Sequence, residues 1–270
     1  MGHRAARDDA AVRGKARDTR ADSLRRARGP RRIRNMRGGS RSVAVVFGVL
    51  ALSVPLAGCG GLSQFGAGTH NPPATAYTVT AHVTTLVVKS GSGTIDVTGS
   101  DRGTIGVSEQ ESYGKTPPTS THVVSGTTLT LSYTCPSEFV CGVSYTIQVP
   151  AGMTVRASSS AGTITLTSLA GPVSAQTSAG LITVTGLTSP TASLKSNAGG
   201  IDADFSAAPA SVHASTNVGP ISISVPASAS YAIDTHTYVG TSTVTVPKAT
   251  ASAHTISASS DLGSITISPS

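Results

Sequence analysis

The chain has 270 residues and a formal net charge of +7, but that charge is distributed unevenly. Residues 1–58 hold 14 of the 20 Lys and Arg side chains and 4 of the 13 acidic ones, so residues 59–270 carry 6 − 9 = −3. Nucleic-acid binding requires a basic patch in the folded domain, whereas the basic excess here lies in a segment with the pattern of a targeting sequence. We therefore expect no nucleic-acid partner.

The first predicted element is an apolar run at 43–56, directly after the arginine-rich stretch. Its 14 residues fit the core of a secretory signal peptide, about 7–15 residues, better than a membrane-spanning helix of ~20. An uncleaved anchor helix at the N-terminus is the alternative. The basic leader is longer than the charged region of an ordinary signal peptide. If the chain began at Met36, the charged region before the apolar run would have an ordinary length. We therefore expect translation to start at Met36.

The apolar run ends in Leu-Ala-Gly-Cys at 56–59, which resembles the lipobox of bacterial lipoproteins. The resemblance implies that residues 1–58 are a signal peptide cut between Gly58 and Cys59, and that the Cys59 thiol carries diacylglycerol. It also implies an extracytoplasmic protein whose lipid anchor binds it to the bacterial cell membrane. Residues 59–75 are rich in Gly, Ser and Pro, and we predict that they form a flexible tether.

Two more cysteines, Cys135 and Cys141, flank a five-residue segment that begins with proline. Thiols outside the membrane tend to be oxidised, and a hairpin brings two Cα atoms within the roughly 7 Å that a disulfide needs. We therefore predict a disulfide at the tip of an inserted hairpin formed by 129–131 and 145–147. A metal site is a weaker alternative, because it needs two further ligands nearby.

From residue 162 onward the sequence repeats with a period near 20. An Ile follows two positions after each of five repeat glycines, and Ser242 replaces it in the fifth unit. Such a period indicates stacked structural units whose differences in length fall in loops. The Ser, Asn or Asp two positions before the glycine is expected to bond the turn backbone. The repeat glycines, predicted to lie at turns, are Gly162, Gly180, Gly199, Gly219, Gly240 and Gly263, spaced 18, 19, 20, 21 and 23 residues apart.

Within each unit, apolar residues alternate with Thr or Ser, as at Ile164 and Leu166. This alternation predicts a strand with one buried face, and a second short strand is predicted in each unit, for example at 173–175. One unit cannot bury its own isoleucines, but stacked units can bury each against the next. We expect Ile201 to lie between Ile182 and Ile221 in such a column.

The runs V-P-A-G-M-T-V at 149–155, S-A-G-T-I-T-L at 160–166 and S-N-A-G-G-I-D-A-D at 196–204 resemble a bacterial domain of unknown function that is associated with adhesins. The resemblance covers roughly residues 78–268 and implies strands stacked into a single-chain β-solenoid. It supplies no catalytic motif. The predicted fold is therefore all-β: a single-chain β-solenoid of about 20-residue rungs over residues 76–270, with an inserted disulfide hairpin.

The predicted domain shows no pattern that indicates an enzyme, a metal site or a cofactor. Its serines lack the nucleophile-elbow motif, and Asp202 and Asp204 are the only closely spaced carboxylates in the repeats. The histidines lack metal or triad spacing and are expected to be solvated: His70, His82, His122, His213, His236 and His254.

We therefore expect a non-enzymatic envelope protein for adhesion, scaffolding or envelope interaction, with an unidentified envelope or extracellular partner. A polysaccharide-acting solenoid enzyme remains an alternative, because such enzymes use clustered carboxylates. A less favoured alternative is a protein that orders water or ice. It rests on the outward rows of Thr and Ser, such as Thr163 and Thr165 or Thr183 and Thr185.

Overall fold

The structure, a computed structural model, describes residues 68–136 and 140–270. The predicted signal peptide, Met36, Gly58 and Cys59 lie outside the described residues. The described chain forms 19 β-strands. Within those ranges there is no helix of the length and apolarity that crossing a membrane requires.

The strands are short because turns rich in Gly, Pro and Ser interrupt the alternating segments. In chain order they are β1 Thr75–Val79, β2 Thr85–Ser92, β3 Ile95–Ser100, β4 Ile105–Tyr113, β5 Thr119–Ser125, β6 Thr128–Thr134, β7 Cys141–Pro150, β8 Thr154–Ala161, β9 Ile164–Thr167, β10 Val173–Ala179, β11 Ile182–Leu187, β12 Thr191–Ala198, β13 Ile201–Phe205, β14 Ser211–Val218, β15 Ile221–Val225, β16 Ala232–Val239, β17 Ser242–Val244, β18 Thr255–Leu262 and β19 Ile265–Pro269.

These strands form two sheets that face each other across the core. Sheet A has the order β1-β4-β7-β3-β9-β11-β13-β15-β19-β17, and sheet B has the order β16-β18-β14-β12-β10-β8-β2-β6-β5. Each repeat unit contributes one strand to sheet B and the next to sheet A, and we call such a pair a rung. Neighbouring rungs from β8/β9 to β14/β15 pair in parallel in both sheets. The predicted β-solenoid is thereby confirmed.

The isoleucine column predicted from the repeat is present in sheet A. Ile201 pairs with Ile182 on one side and with Ile221 on the other, and all three side chains are buried. Ile164 and Ile265 extend the column in the two directions. Because every inward residue lies on its counterpart one rung away, the apolar side chains form one continuous core.

The rungs do not stack in chain order at either end. The β18/β19 rung lies between β14/β15 and β16/β17, so the fifth repeat unit is the outermost. The β2/β3 rung likewise lies between β6/β7 and β8/β9. The composition of the fifth unit accounts for its place at the end: Ser242 pairs with Ile265 and adds no apolar side chain to the column.

The repeat glycines lie at the corners where the chain passes from sheet B to sheet A. At Gly199 φ is 144°, and a Cβ atom there would lie 2.0 Å from the carbonyl oxygen of Gly180. The Gly199 amide donates a hydrogen bond of 2.8 Å to the Val218 carbonyl in the next rung. Only a residue without a side chain permits this close approach.

The side chain that bonds the turn is three residues before the glycine, not two as the sequence suggested. The residue two before, such as Asn197, points outward and is exposed, whereas the one three before points inward. In five of the six units this inward hydroxyl donates to a glycine carbonyl in the neighbouring rung over 2.9–3.3 Å, and we call this set the hydroxyl ladder. Its members are Thr177, Ser196, Thr216, Thr237 and Ser260. The sixth inward hydroxyl, that of Ser159, is buried and has no hydrogen-bond partner among the described residues.

The predicted disulfide between Cys135 and Cys141 is present, with Cα atoms 5.9 Å apart. The predicted hairpin around it is wrong, because β6 and β7 lie in different sheets. Leu131 and Tyr145 both point inward and are buried, so these strands face each other across the core instead of pairing edge to edge. The disulfide therefore closes a corner between the sheets.

Antiparallel strands close the N-terminal end of the solenoid. The segment starting at Gly103 leads into β4, which runs antiparallel to β7. Next to it, β1 pairs with β4, and β5 pairs with β6. Part of the predicted tether also contacts this end: His70 and Tyr113 exchange backbone hydrogen bonds of 2.7 and 3.0 Å.

Candidate interaction surfaces

The outward side chains of the two sheets form two flat faces. On sheet A, the strands from β3 to β17 present a face that we call the acidic face. On sheet B, the strands from β2 to β14 present a face that we call the basic face. Parallel pairing in register places equivalent residues of successive rungs about 4.8 Å apart in straight rows.

The acidic face consists of Thr and Ser rows interrupted by aspartates. Two of the predicted outward threonines lie in one row, where Thr165 pairs with Thr183 and Thr183 pairs with Asp202. Asp96 continues the row beyond Thr165. Because carboxylates interrupt the hydroxyls, the row is not a uniform threonine ladder. From Asp202 the row continues through Ser222, Thr266 and Thr243. Thr185 pairs with Thr167 in a second row, and Thr163 precedes β9.

Asp202 and Asp204 both point out of the acidic face, as the alternation predicted. Asp202 is exposed, and Asp204 is partly buried, with its Oδ2 accepting a hydrogen bond of 3.3 Å from the Gly186 amide. No group of three or more His, Cys, Asp or Glu side chains in the described ranges could hold a metal ion. One of the two carboxylates is thus occupied in joining neighbouring rungs.

The basic face presents three cationic side chains and one imidazole. Lys89 pairs with Ser158, and Arg156 is diagonally adjacent because it pairs with Val87. The row of Lys89 continues through Gln176 to Lys195, three strands away and therefore roughly 14 Å distant. His213 lies on the next strand, level with Ser193. The outward positions from β2 to β14 include no Asp or Glu.

A shallow depression of about 520 Å³ lies on the basic face, around Lys89, Tyr133, Ser158 and Gln176. The Tyr133 hydroxyl is held in place by a 2.6 Å hydrogen bond that it donates to the Ser92 carbonyl. The lining therefore offers an ammonium, an amide and several hydroxyl groups on a fixed scaffold. Such groups can bind phosphate, carboxylate or sulfate oxygens.

A buried carboxylate lies on the inner side of sheet A, near the N-terminal end of the solenoid. Glu109 is 6% exposed, and its Oε1 accepts a hydrogen bond of 2.6 Å from the Tyr77 hydroxyl. Burial, and then this hydrogen bond, raises the pKa of Tyr77 far above its ordinary value. Burial and the nearby Glu109 carboxylate also raise the pKa of Tyr145. The Tyr145 hydroxyl has no hydrogen-bond partner among the described residues.

The predicted histidines lie apart from one another. His213 and His236 are exposed on strands of sheet B, as the alternation predicted. His254 differs, since its Nδ1 lies 2.8 Å from the Pro209 carbonyl oxygen and holds a loop. His122 packs against Tyr77, with ring centroids 4.9 Å apart.

Sequence reasoning missed two features: the charge difference between the faces, and the Glu109 cluster. The alternation of inward and outward residues in the sequence contained a signal for both. Assigning each charged residue to its sheet by alternation would have separated Asp96 from Lys89. Glu109 follows Ile105 and Val107 at inward positions, so the same alternation places its carboxylate in the core.

The profile of the Toastrack DUF4097 family matches residues 80–268, well over half of the chain and nearly all of its described part. This chain belongs to the Toastrack DUF4097 family. The match begins just after β1 and ends within β19, so the Toastrack domain includes the strands from β2 onward. No curated protein matches the chain.

Solved structures similar to this Toastrack protein are described as candidate adhesion proteins. One, from Clostridium sporogenes, is 13% identical, with a TM-score of 0.45 over 74% of this chain and 100% of that one. Another, from Bacteroides fragilis, is 17% identical, with a TM-score of 0.45 over 73% and 97%. A third, from Parabacteroides distasonis, is 10% identical, with a TM-score of 0.26 over 73% and 97%.

Proposed function

We propose that this Toastrack protein is a lipid-anchored, non-enzymatic interaction module of the cell envelope, which binds an anionic partner through the basic face. The separation of charge between the two faces is the observation that carries the proposal. Lys89, Arg156 and Lys195 share the outer side of sheet B from β2 to β14, where there is no carboxylate. The two exposed aspartates of that sheet, Asp234 and Asp261, lie beyond this stretch on β16 and β18.

The opposite charges give the solenoid a preferred orientation. A polyanion or an anionic surface attracts the basic face, while the acidic face, with Asp96, Asp202 and Asp204, is repelled from it. The three cations span roughly 14 Å along the rows, which suits a polymer with repeated negative charges better than one small anion. Exposed charges are screened within about 8 Å at physiological salt, so binding should be modest and salt-sensitive.

The anchor supports the same role, because it would concentrate the domain at the membrane exterior. Its sequence signature is Leu-Ala-Gly-Cys at 56–59. We expect metabolic labelling with a fatty-acid probe to mark the wild-type chain and not a Cys59→Ala variant, since the thiol is the lipidation site. Equal labelling of both chains would contradict the anchor while leaving the binding proposal to its own test.

The chain from residue 59 onward offers a charge-matched control for the basic face. Three of its six cations lie on that face, and the other three are Arg102, Lys115 and Lys248. We expect changing all three face cations to Gln to weaken binding to an immobilised polyanion at least tenfold. Changing the other three cations to Gln should leave most of the binding. Equal losses would mean that net charge, and not the basic face, governs binding.

Catalysis is tested separately. We expect the purified protein to leave a panel of envelope polysaccharides intact. Cleavage that disappears in an Asp202→Ala variant would replace the proposed function with that of a solenoid enzyme.

A further inference from the structure

We propose that two copies of this chain associate end to end, by antiparallel pairing of β16 with β16 of the second copy. The inference concerns the terminal rung and does not rest on the proposed function, since neither the basic face nor the lipid anchor takes part in it.

The first observation is an open strand edge. Among the described residues β16 pairs with β18 along one side, and it is the last strand of sheet B. The Ala232 amide donates to the His254 carbonyl on the β18 side. Because backbone groups of successive strand residues point to opposite sides, those of Ile233, Thr235 and Thr237 point to the open side.

The open stretch has a defined length. Just before β16, Tyr231 already pairs with the segment at 247–249: its amide donates to Pro247, and its carbonyl accepts from Ala249. At the other end, the chain turns toward sheet A at Gly240. The available edge is therefore 233–237, with Thr235 at its centre.

The second observation is an incompletely covered core at this end. Val212 and Ala214 in β14 are 1% and 0% exposed, whereas Ile233 and Thr235, two strands away in the same inward rows, are only half-buried. A second copy placed on the open edge would continue the rows and cover these side chains. Open strand edges are recognised sites of association between chains.

The third observation is that the edge is complementary to itself. In an antiparallel pair centred on Thr235, this residue faces its counterpart, Ile233 faces Thr237, and Asp234 faces His236. The carboxylate–imidazole pair occurs twice, once on each side of the twofold axis. Asp234 and His236 would form the pairs in which side chains lie closest, because backbone hydrogen bonds fall on the odd-numbered residues.

Twofold symmetry also limits the assembly to two copies. An isologous contact uses the same patch on both chains and leaves no free copy of that patch. The inward side chains of paired residues lie on one side of a continuous sheet, so the two cores would join. A dimer twice the length of one solenoid would result.

Cross-linking of the full-length chain in the cells that produce it tests the pairing. Opposed residues in a hydrogen-bonded antiparallel pair have Cα atoms about 5.5 Å apart, within the range of a disulfide. We expect Thr235→Cys to form an interchain disulfide, seen as a dimer on a non-reducing gel. Ser257→Cys on β18 is the matched control and should stay monomeric, because it lies one strand further from the axis.

Charge substitutions test the register in the Thr235→Cys background. Asp234→Lys opposes Lys to His, and His236→Glu opposes Glu to Asp, so each should lower the cross-linked fraction about tenfold. The double variant Asp234→Lys/His236→Glu restores opposite charges and should restore the dimer. Both positions are exposed, and unchanged melting temperatures will show that the variants remain folded. A Thr235→Cys chain that stays monomeric, or a double variant no better than the single ones, would overturn the proposal.

Discussion

The Thr216 hydroxyl donates a hydrogen bond of 2.9 Å to the Gly199 carbonyl oxygen one rung away. Thr216 is 3% exposed, so this bond satisfies a polar group inside the core and joins two rungs at the same time. Its equivalents in the hydroxyl ladder repeat the arrangement along the solenoid. The ladder therefore complements the isoleucine column as a second contact between rungs.

Removing one ladder hydroxyl should destabilise the protein without changing its shape. We expect Thr216→Val to lower the free energy of unfolding by about 1–3 kcal/mol, because the Gly199 carbonyl loses its buried donor. The same substitution at Thr165, which points outward, should change it by less than about 0.5 kcal/mol. Urea unfolding of both variants measures the difference.

The corner glycines should not tolerate a methyl group. A Cβ at position 199 would meet the Gly180 carbonyl oxygen at 2.0 Å, and the left-handed backbone adds strain, so Gly199→Ala should cost at least about 1–3 kcal/mol. Gly103→Ala is the control, since no described residue other than its two chain neighbours comes within 4 Å of a Cβ built there. Equal melting temperatures for the two variants would contradict the close corner contact.

The isoleucine column should be sensitive at its centre. Ile201→Ala leaves a cavity between Ile182 and Ile221 and is expected to cost about 2–5 kcal/mol. Ile201→Asp should cost more, because it buries an unpaired charge. Thr183→Ala, on the outer face of the neighbouring strand, should cost less than about 0.5 kcal/mol. Chemical denaturation of the three variants tests the register directly.

Reduction of the disulfide should loosen the corner between β6 and β7. Closing so short a loop contributes about 2 kcal/mol in the chain-entropy treatment, so a reductant should lower the melting temperature of the wild-type protein. The variant Cys135→Ala/Cys141→Ala should start at the lower value and not respond to the reductant. A response in that variant would show that the effect arises elsewhere.

Alkaline pH should destabilise the N-terminal end. The raised pKa values of Tyr77 and Tyr145 mean that the folded protein holds the phenol protons more tightly than the unfolded chain. Their contribution is complete below the unfolded pKa, about 10, and is lost as the pH rises above it. Thermal unfolding should show this decline, and Tyr77→Phe/Tyr145→Phe should reduce it. The exposed Tyr238→Phe serves as control.

Much of the solenoid could be predicted because its information is local. Alternation and the glycine period determine which side chains of a rung point inward, and in-register stacking aligns Ile182, Ile201 and Ile221. The hydroxyl ladder was also present in the sequence, as a Ser or Thr three residues before each repeat glycine. The prediction instead assigned the hydrogen bond to the residue two before the glycine, because polar side chains at turns commonly bond the local backbone.

The stacking order at the ends could not be read in this way. Every unit of a repeat has an edge that fits every other unit, so periodicity does not specify which rung lies next to which. The position of the disulfide was misjudged for a related reason. Short spacing between Cys135 and Cys141 is compatible with a hairpin or with a corner between sheets, and only the partners of β6 and β7 distinguish the two.

The insertion of β18/β19 beneath β16/β17 has a consequence for the way the molecule can be built. In an ordinary linear array, shortening the chain from its end removes one layer at a time. Here, deleting residues 255–270 would remove the strands with which β16 and β17 pair in the described part of sheets B and A, so two layers would be lost together. During synthesis β16 and β17 are made before β18 and β19. They therefore cannot pair with their neighbouring strands until the last residues of the chain have been made.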